Sequence, residues 1–420
     1  MCKSLKNRER RKVLKNLSLG ASSVLMAPYV WTQEKPVLRV LGAYLHEDVR
    51  LKAEEDLGFR IEFTFGEHSD VTHKAATQPE SFDIFEKTAD YIDILWNSGA
   101  IQPIEKNRIR EWPAVSSLAK TGRVKTGTQI GLGDAPYKEL NVLPGNILGE
   151  TPTNQISFLP YMHNVDGFGY LTGSTADRSG EETESWSWLL DDRNHGKVGI
   201  LIDPAVGFNE LALAARASGK VSIKDLGNMT RSEIDDMVKI LVDLKRAGHF
   251  AGFWSTLPKS VEFIKTGRTQ IQSMFSPAFY HLKSKGVEIS YAVPKEGYRA
   301  WQGALCLSSK TNPTAKDMAY EYMNWYLSGW PGAYISRQGY YTSNPDSARA
   351  YLSTSEWDYW YEGKPAETDL PGIDGETAVR KGETRPGGSY TNRLSSIAVW
   401  NGITTDYEYK LSGWYDFLTA

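Results

Sequence analysis

Cysteine is almost absent from this sequence: 420 residues contain two, Cys2 and Cys306. Cys2 lies in a basic N-terminal segment that we expect to be removed, so Cys306 is left without a partner for an internal disulfide. Because Cys306 lies in the apolar run Ala304–Leu307, we expect a buried structural thiol and not a catalytic nucleophile.

A long apolar run and a strong excess of charge are also missing. The apolar segment Leu17–Val30 contains serines and a glycine, and it is shorter than the roughly 20 apolar residues that a membrane-spanning helix needs. The formal net charge is -3, and no basic block follows the N-terminal segment. We therefore expect neither nucleic acid nor an anionic membrane as a partner.

The N-terminal segment carries a pair of arginines, Arg10-Arg11, just before that apolar run. Basic residues, a short apolar run and then small residues are typical of a removable leader, and the pair resembles a twin-arginine export signal. We predict such a signal over residues 1–33, with cleavage between Ala27 and Gln33 and no lipid anchor. The twin-arginine machinery would then deliver the mature chain to the periplasm.

Aromatic residues are what the sequence has in abundance: 13 Trp, 22 Tyr and 14 Phe. Trp and Tyr combine flat apolar faces with a polar group, and they are favoured where a protein grips a small ligand. Many of these rings must also form the core. Composition alone therefore does not separate core residues from ligand contacts.

Strand-like and helix-like segments alternate along the mature chain, which predicts an α/β protein with parallel sheets. The predicted strands include Val37–Leu41, Phe59–Phe65, Lys197–Ile202 and Ala304–Leu307. The predicted helices include Asn209–Ser218, Thr230–Ala247 with a capping box of Thr230 and Glu233, Pro313–Trp330 and Tyr407–Leu418.

Parallel sheets also indicate where a ligand would bind. In open sheets of this kind, ligands bind beyond the carboxyl ends of the strands. Tyr44 follows the first predicted strand, and Lys87–Asp90 follows another apolar segment. These two loops are therefore candidates for one site.

Several stretches, in sequence order, resemble the extracellular solute-binding proteins of bacterial ABC importers, specifically the spermidine/putrescine-binding branch. The similarity spans most of the mature chain and keeps its order. The stretches are Asp90–Asp93 with Ile101–Ile104, Leu159–Tyr161 with Gly169, Ala292–Gly297 with Trp301, and Gln338–Pro345.

This resemblance implies a two-lobed α/β periplasmic binding protein of type II, in which each lobe is a mostly parallel sheet flanked by helices and crossing strands join the lobes. Lobe 1 would comprise residues 34–155 and 303–420, and lobe 2 residues 156–302. Such a protein, a monomer without cofactor, metal or catalytic activity, would close on a small organic solute and deliver it to a membrane permease and its ATPase.

Position by position, the resemblance implies aromatic contacts to the solute from Tyr44, Phe275 and Trp301, and a further cleft position at His163. Departures from the polyamine-binding pattern are equally informative. Gly303 stands where an acid is expected, and Asn209 falls where one of an acid pair belongs. The predicted ligand-binding residues are Tyr44, Thr88, Asp90, His163, Asp203, Asn209, Phe275, Trp301 and Tyr341.

These departures predict a ligand that is less cationic than a diamine, because a buried ammonium without its carboxylate is costly. A polyamine-like amine, a zwitterion such as a betaine or amino acid, and a sugar or polyol stay open. Arg337 and Arg393 are candidates to bind a carboxylate or sulfonate.

Two other classes of function compete with this interpretation. An iron(III)-binding relative would use adjacent tyrosines, such as Tyr340-Tyr341, as oxygen ligands. An exported carbohydrate-active enzyme would need a carboxylate pair, which one sequence does not exclude. The sequence contains no Gly-x-Ser-x-Gly, His-Glu-x-x-His or Cys-x-x-Cys motif.

Overall fold

Two large mixed sheets dominate the described part of the chain, one of nine strands and one of five. The computed structural model describes residues 36–66, 68–180, 182–402 and 405–420. The predicted export signal over residues 1–33 and its arginine pair lie outside the described residues. The described chain forms one compact unit from Pro36 to Ala420.

The strands have the following bounds in chain order: β1 Val37–Gly42, β2 Arg60–Phe65, β3 Ile84–Thr88, β4 Ile101–Gln102, β5 Ile104–Glu105, β6 Leu132–Gly133, β7 Asn141–Leu143, β8 Ile147–Gly149, β9 Gln155–Ile156, β10 Leu159–Asp166, β11 Phe168–Leu171, β12 Val198–Leu201, β13 Phe250–Trp254, β14 Ile271–Ser273, β15 Ile289–Tyr291, β16 Tyr298–Ser308, β17 Tyr341–Thr342, β18 Leu370–Pro371, β19 Thr377–Val379 and β20 Ile397–Trp400.

The α-helices have the following bounds: α1 Glu47–Leu57, α2 His68–Thr77, α3 Ile92–Asn97, α4 Ser117–Thr121, α5 Asn209–Ala217, α6 Arg231–Arg246, α7 Leu257–Lys265, α8 Ser276–Ser284, α9 Pro313–Tyr326, α10 Gly329–Arg337, α11 Pro345–Arg349, α12 Thr354–Trp357, α13 Tyr390–Leu394 and α14 Tyr407–Thr419.

The nine-stranded sheet has the order β17-β10-β16-β3-β1-β2, with β20 and β4 paired to β16 and β6 paired to β20. The five-stranded sheet has the order β13-β12-β14-β11-β15. Parallel pairs join β1 to β2 and β3, and β12 to β13 and β14. The α/β fold class is thus confirmed.

Parallel pairing does not extend through either sheet, which differs from the expectation of mostly parallel sheets. The long strand β16 pairs antiparallel with both β10 and β3, and β11 pairs antiparallel with β14 and β15. The reason is topological: β10 leads out of the nine-stranded sheet and β16 leads back into it, so the two run in opposite directions.

The chain passes between the two sheets three times, whereas the sequence predicted two crossings. Gly167 separates β10 from β11, and residues 292–297 connect β15 to β16. The third passage leads from β20 to α14, which packs on α6. The ring of Phe417 in α14 also lies 5.4 Å from the ring of Phe250 in β13. The lobe boundaries themselves stay a prediction, but α14 packs in the core of the five-stranded half.

Local patterns explain most of the elements. Thr230 and Glu233 form the predicted capping box at the start of α6. Cys306 is fully buried in β16, and burial raises the pKa of its thiol. The helix predicted over Pro313–Trp330 is wrong at its end, because Ser328 adopts an extended backbone that separates α9 from α10.

No helix among the described residues is both long and apolar enough to span a bilayer.

Candidate functional site

A cavity of about 570 Å³ lies between the two sheets, and we call it the cleft cavity. From the nine-stranded half, its wall includes Tyr44 just after β1 and Tyr340 just before β17. From the five-stranded half, it includes Trp254 at the end of β13 and Phe275 after β14. Flat aromatic faces from both halves therefore enclose one space, which suits a small organic molecule.

Tyr44 owes its position to residues packed beneath it. Its ring lies almost parallel to that of Trp301, with an interplanar angle of 12° and centroids 6.0 Å apart. Trp301 is 1% exposed, meets the ring of Tyr340 edge-on at 4.8 Å, and donates from Nε1 to Asp166 Oδ2 at 2.6 Å. Trp301 therefore lies behind the cavity wall and supports two rings that form it.

Glu86 holds the backbone of the same loop. Its carboxylate accepts a hydrogen bond from the Tyr44 backbone N–H at 3.1 Å and another from the Tyr161 hydroxyl. Burial raises the pKa of Glu86 to about 8, so the carboxyl is mainly protonated at neutral pH. A Cβ atom at Gly42 would lie 2.7 Å from Glu86, so only glycine fits there.

Lack of space also explains why position 303 is a glycine. A Cβ atom at this position would lie 2.8 Å from the Tyr161 ring and 2.8 Å from Met162 Cγ. The acid that the resemblance leads one to expect at this position therefore has no room in this chain. The ring of Tyr161 occupies this space, and its hydroxyl donates a hydrogen bond to Glu86.

A second cavity of about 320 Å³, the side cavity, adjoins the first, and Ser255 lines both. Its wall combines Thr72, Tyr91 and Ile94 from the nine-stranded half with Asp203 and Tyr407 from the five-stranded half. The Tyr91 hydroxyl donates to both carboxylate oxygens of Asp203 at 3.2 Å. The two halves are thus joined by a hydrogen bond at this cavity.

Asp203 is placed by the local fold of the five-stranded half. It follows β12, and its carboxylate accepts a hydrogen bond from the Ala205 N–H at 3.0 Å, which caps the turn leading into α5. The N-terminal end of a helix stabilises a carboxylate there. The side chain therefore stays fixed at the boundary between the halves.

Thr88 ends β3 and Asp90 lies in the facing loop after it, and the Thr88 hydroxyl donates to the Asp90 carboxylate at 2.8 Å. Burial raises the pKa of Asp90 to about 6, the charge of Lys87 opposes that rise, and the charge of Asp203 adds to it. Tyr44, Thr88 and Asp90 thus come together at the carboxyl ends of β1 and β3, as the parallel pairing of these strands predicts.

Lys87, the last-but-one residue of β3, has no exposed surface. Its Nζ donates to Thr72 Oγ1 at 3.0 Å and lies 3.4 Å from the centroid of the Tyr91 ring. Desolvation lowers the pKa of Lys87 to about 8, against the attraction of Asp203 and Asp90. The candidate site therefore holds a buried ammonium beside two carboxylates.

Three other predicted residues lie elsewhere. His163 is 1% exposed, its Nε2 lies 3.1 Å from the Tyr390 hydroxyl, and burial lowers its pKa to about 3. Tyr341 stacks on His163 with ring centroids 6.0 Å apart. Asn209 donates from Nδ2 to the carbonyls of Ala205 and Gly402, both at 2.9 Å. These side chains pack the core or tie the third passage to α5.

The adjacent tyrosines Tyr340 and Tyr341 do not converge on one point. Tyr340 faces the cleft cavity, whereas Tyr341 is fully buried beside His163. Successive side chains of an extended segment point to opposite faces. The pair therefore does not provide two oxygens to one iron ion.

The arginines considered for an anionic group are engaged within the protein. Arg337 binds Glu356 at 2.6 Å, and Arg393 donates to the carbonyls of Pro386 and Val165. Neither of them contacts the boundary between the two sheets at Asp203.

Sequence reasoning missed a buried ionic network behind Phe275. Arg299 in β16 binds Glu210 of α5 at 2.7 Å, Asp166 of β10 at 3.5 Å and Asn401 at 3.0 Å. Its guanidinium lies 5.3 Å from the Phe275 ring centroid. The network joins the three chain passages to the five-stranded half, and no short motif could have revealed it.

Comparison with known proteins agrees with this architecture. The putrescine-binding periplasmic protein PotF of Escherichia coli K12 is 23% identical over 359 residues, covering 82% of this chain and 87% of PotF.

Solved structures show the same fold at low identity. The spermidine/putrescine substrate-binding protein PotD of Streptococcus pneumoniae has a TM-score of 0.61 at 14% identity, covering 92% of this chain and 98% of PotD. The periplasmic binding protein AgtB of A. tumefaciens R10, solved with agropinic acid, has a TM-score of 0.58 at 12% identity, covering 91% of this chain and 99% of AgtB.

The family model described as bacterial extracellular solute-binding protein matches residues 51–360, well over half of the sequence. The chain therefore belongs to the family of bacterial extracellular solute-binding proteins.

Proposed function

We propose that this protein is the substrate-binding component of an ABC importer and that it binds a small organic amine between its two sheets. One observation carries the choice of an amine: the carboxylate of Asp203 lines the side cavity, which adjoins the aromatic cleft cavity, and its charge acts on that of Asp90 in the facing loop of the opposite half. Aromatic faces and carboxylates are the groups that bind an ammonium. The relatives with polyamines in their names are consistent with this choice.

Closure of the cleft would provide affinity for the solute, and the closed state would distinguish the loaded protein from the empty one. A solute that touches Tyr44 and Phe275 together makes those contacts only when the halves are closed, so it stabilises the closed state. A micromolar dissociation constant corresponds to about 8 kcal/mol. A few desolvated cation–π contacts of about 0.5–2 kcal/mol each and one ammonium–carboxylate pair are sufficient for that.

The wider biological setting belongs to the same proposal. The protein would act as a monomer in the periplasm after twin-arginine export, would carry no cofactor, and would pass its solute unchanged to a permease driven by an ATPase. The family supports an extracytoplasmic location and a permease partner.

A thermal-shift screen of the purified protein tests the proposal. The panel contains monoamines, diamines, betaines, amino acids, sugars and agropinic acid. An amine at about a hundred times its dissociation constant should add about 2.7 kcal/mol of stability. Recovery of the solute from the complex and its mass spectrum test whether it is unchanged. Stabilisation by sugars alone, or a chemically altered solute, would contradict the proposal.

The variant Phe275→Ala should reduce the shift given by the amine, because Phe275 is one of the rings of the five-stranded half that line the cleft cavity. Phe250→Ala is a suitable comparison, because Phe250 packs against Phe417 away from the cavity. The comparison variant should lose stability without losing the amine-induced shift.

A further inference from the structure

We infer that the solute carries an apolar tail and that this tail lies in a third cavity, which continues the cleft cavity. The third cavity has a volume of about 470 Å³, and we call it the outer cavity. This inference rests on the amine-binding function proposed above. It deepens that function, because it assigns a further subsite and narrows the solute to an amine with an apolar chain.

One short segment lines all three cavities in sequence order. Ser255, the first residue after β13, lines the side cavity and the cleft cavity. Leu257 and Pro258, which begin α7, line the cleft cavity and the outer cavity. The backbone from Ser255 to Pro258 spans at most about 11 Å. The three cavities therefore follow one another closely, within reach of one extended solute.

The cleft cavity and the outer cavity meet at the surface of the protein. Four residues line both spaces: Leu257, Pro258, Pro277 in the first turn of α8, and Gln338 just after α10. Pro258 is exposed, and Leu257 and Pro277 are only partly buried. A flexible chain can therefore extend from the cleft cavity past these residues into the outer cavity.

Charge is distributed unevenly along this series of cavities. The side cavity has the carboxylate of Asp203 in its wall. None of the described residues that line the cleft cavity is Asp, Glu, Lys or Arg. An ammonium group therefore has a carboxylate at the first cavity, and the wall beyond it suits an uncharged chain.

The outer cavity continues this apolar wall. It is lined by Val261 of α7, Ala278 of α8, Ile373 between β18 and β19, and Ala378 of β19. Removal of apolar surface from water is the main interaction that such side chains offer to a ligand.

The charged groups at the outer cavity have partners within the protein. Arg337 Nε lies 2.6 Å from Glu356 Oε1. Asp374 Oδ2 lies 3.7 Å from Lys285 Nζ and 4.0 Å from His281 Nδ1. These groups therefore do not need a charged ligand to compensate them, which favours an apolar occupant.

Isothermal titration calorimetry with n-butylamine, n-hexylamine, n-octylamine and n-decylamine tests the inference. Complete burial of one methylene group raises affinity by about fourfold, so the affinity should rise along the whole series. We expect n-decylamine to bind at least about a hundredfold more tightly than n-butylamine. The alcohol n-decanol has the same chain without an ammonium group, and it should bind at least about tenfold more weakly than n-decylamine.

Variants of the outer cavity test where the tail lies. Val261→Ser removes apolar surface there and should reduce the ratio of the n-decylamine and n-butylamine affinities by about threefold or more. Ile373→Ser tests another part of the same wall and serves if Val261→Ser does not fold. If neither variant folds, the wild-type series decides alone.

Val238→Ser is the matched control. Val238 is also a half-buried valine within a helix, but it belongs to α6 and lines none of the three cavities. This variant should keep the wild-type ratio of affinities.

Each failure has its own signature. Wild-type protein that binds none of the four amines contradicts the proposed function. An affinity that does not rise beyond n-hexylamine overturns the inference and leaves amine binding intact. A folded Val261→Ser or Ile373→Ser protein with the wild-type ratio overturns the assignment of the outer cavity. Equal affinities for n-decanol and n-decylamine would contradict the choice of an amine and support the apolar tail.

Discussion

The hydroxyl of Tyr91 lies 3.2 Å from each carboxylate oxygen of Asp203, although 112 residues separate them along the chain. Tyr91 belongs to the loop after β3, and Asp203 to the loop after β12. The bond therefore connects the carboxyl ends of strands from the two different sheets. It is made where the two halves meet and would break as they separate.

Tyr91→Phe should weaken solute binding by about tenfold, because a hydrogen bond to a charged acceptor contributes about 1.5–3 kcal/mol and this one exists only in the closed state. The phenylalanine ring still lies under Lys87, so the fold should persist. Calorimetric titration with the best solute of the screen measures the change.

Tyr409→Phe is the matched comparison, because the Tyr409 hydroxyl donates to Asp235 at 2.6 Å on the exposed surface. It should bind solute with wild-type affinity. Equal affinity of wild-type and Tyr91→Phe proteins would show that the bond does not favour closure.

Trp301→Phe should reduce the free energy of unfolding by about 1–3 kcal/mol, because it leaves the buried Asp166 carboxylate with one donor fewer. Chemical denaturation measures this loss. The affinity for solute should change less than in Phe275→Ala, because Trp301 lies behind Tyr44 and not in the cavity wall.

Trp414→Phe provides the control for Trp301→Phe, since Trp414 donates to the neutral carbonyl of Ile202 at 2.9 Å. The free energy of unfolding of Trp414→Phe should fall by only about 1 kcal/mol. An affinity loss in Trp301→Phe as large as in Phe275→Ala would mean that Trp301 contacts the solute directly.

The affinity for amines should rise as the pH increases through about 6, because burial raises the pKa of Asp90 to about that value and an ammonium binds the ionised form. Below that pH, each unit should cost up to about tenfold in affinity. Titrations from about pH 5 to about pH 7.5 measure the profile, and Asp90→Asn should flatten it.

The same shift has the opposite effect on the stability of the solute-free protein. A carboxyl whose pKa is raised on folding stabilises the folded state below its unfolded pKa, and this contribution is lost as the pH rises through the folded value. Stability should therefore fall between about pH 4 and about pH 6 by less in Asp90→Asn than in wild-type protein. Parallel profiles would argue against a buried Asp90.

The double variant Arg10→Lys with Arg11→Lys should block export, since a twin-arginine receptor reads the pair as an address. Fractionation of cells and immunoblotting measure the periplasmic share. Arg8→Lys, outside the pair, should be exported normally. Undiminished periplasmic protein from the double variant would show that another export route is used.

Local pattern in the sequence is enough to predict where some of the candidate residues lie in the fold. Tyr44 and Asp90 follow apolar segments, and the parallel pairing of β1 with β3 is enough to bring such loops together. The capping box of α6 needs only Thr230 and Glu233.

Features that depend on contacts between residues far apart in the chain could not be predicted from the sequence. Lys87 and Glu86 follow the apolar residues Ile84 and Phe85, and no pattern says which half they would face. His163 matched a cleft position in the family pattern, but the packing of Tyr341 and Tyr390 against it places it in the core. Side chains alternate between the two faces of a strand, and this alternation does not indicate which face would contact the solute.

The packing of α14 has a consequence for how this protein matures. Phe417 lies in the core of the five-stranded half, yet more than a hundred residues separate it from Tyr291, the end of the last strand of that sheet. That half can complete its core only after residues 407–419 have been synthesised. Proteolytic trimming at this end would therefore leave an open apolar surface on α6, a long way in sequence from the damage.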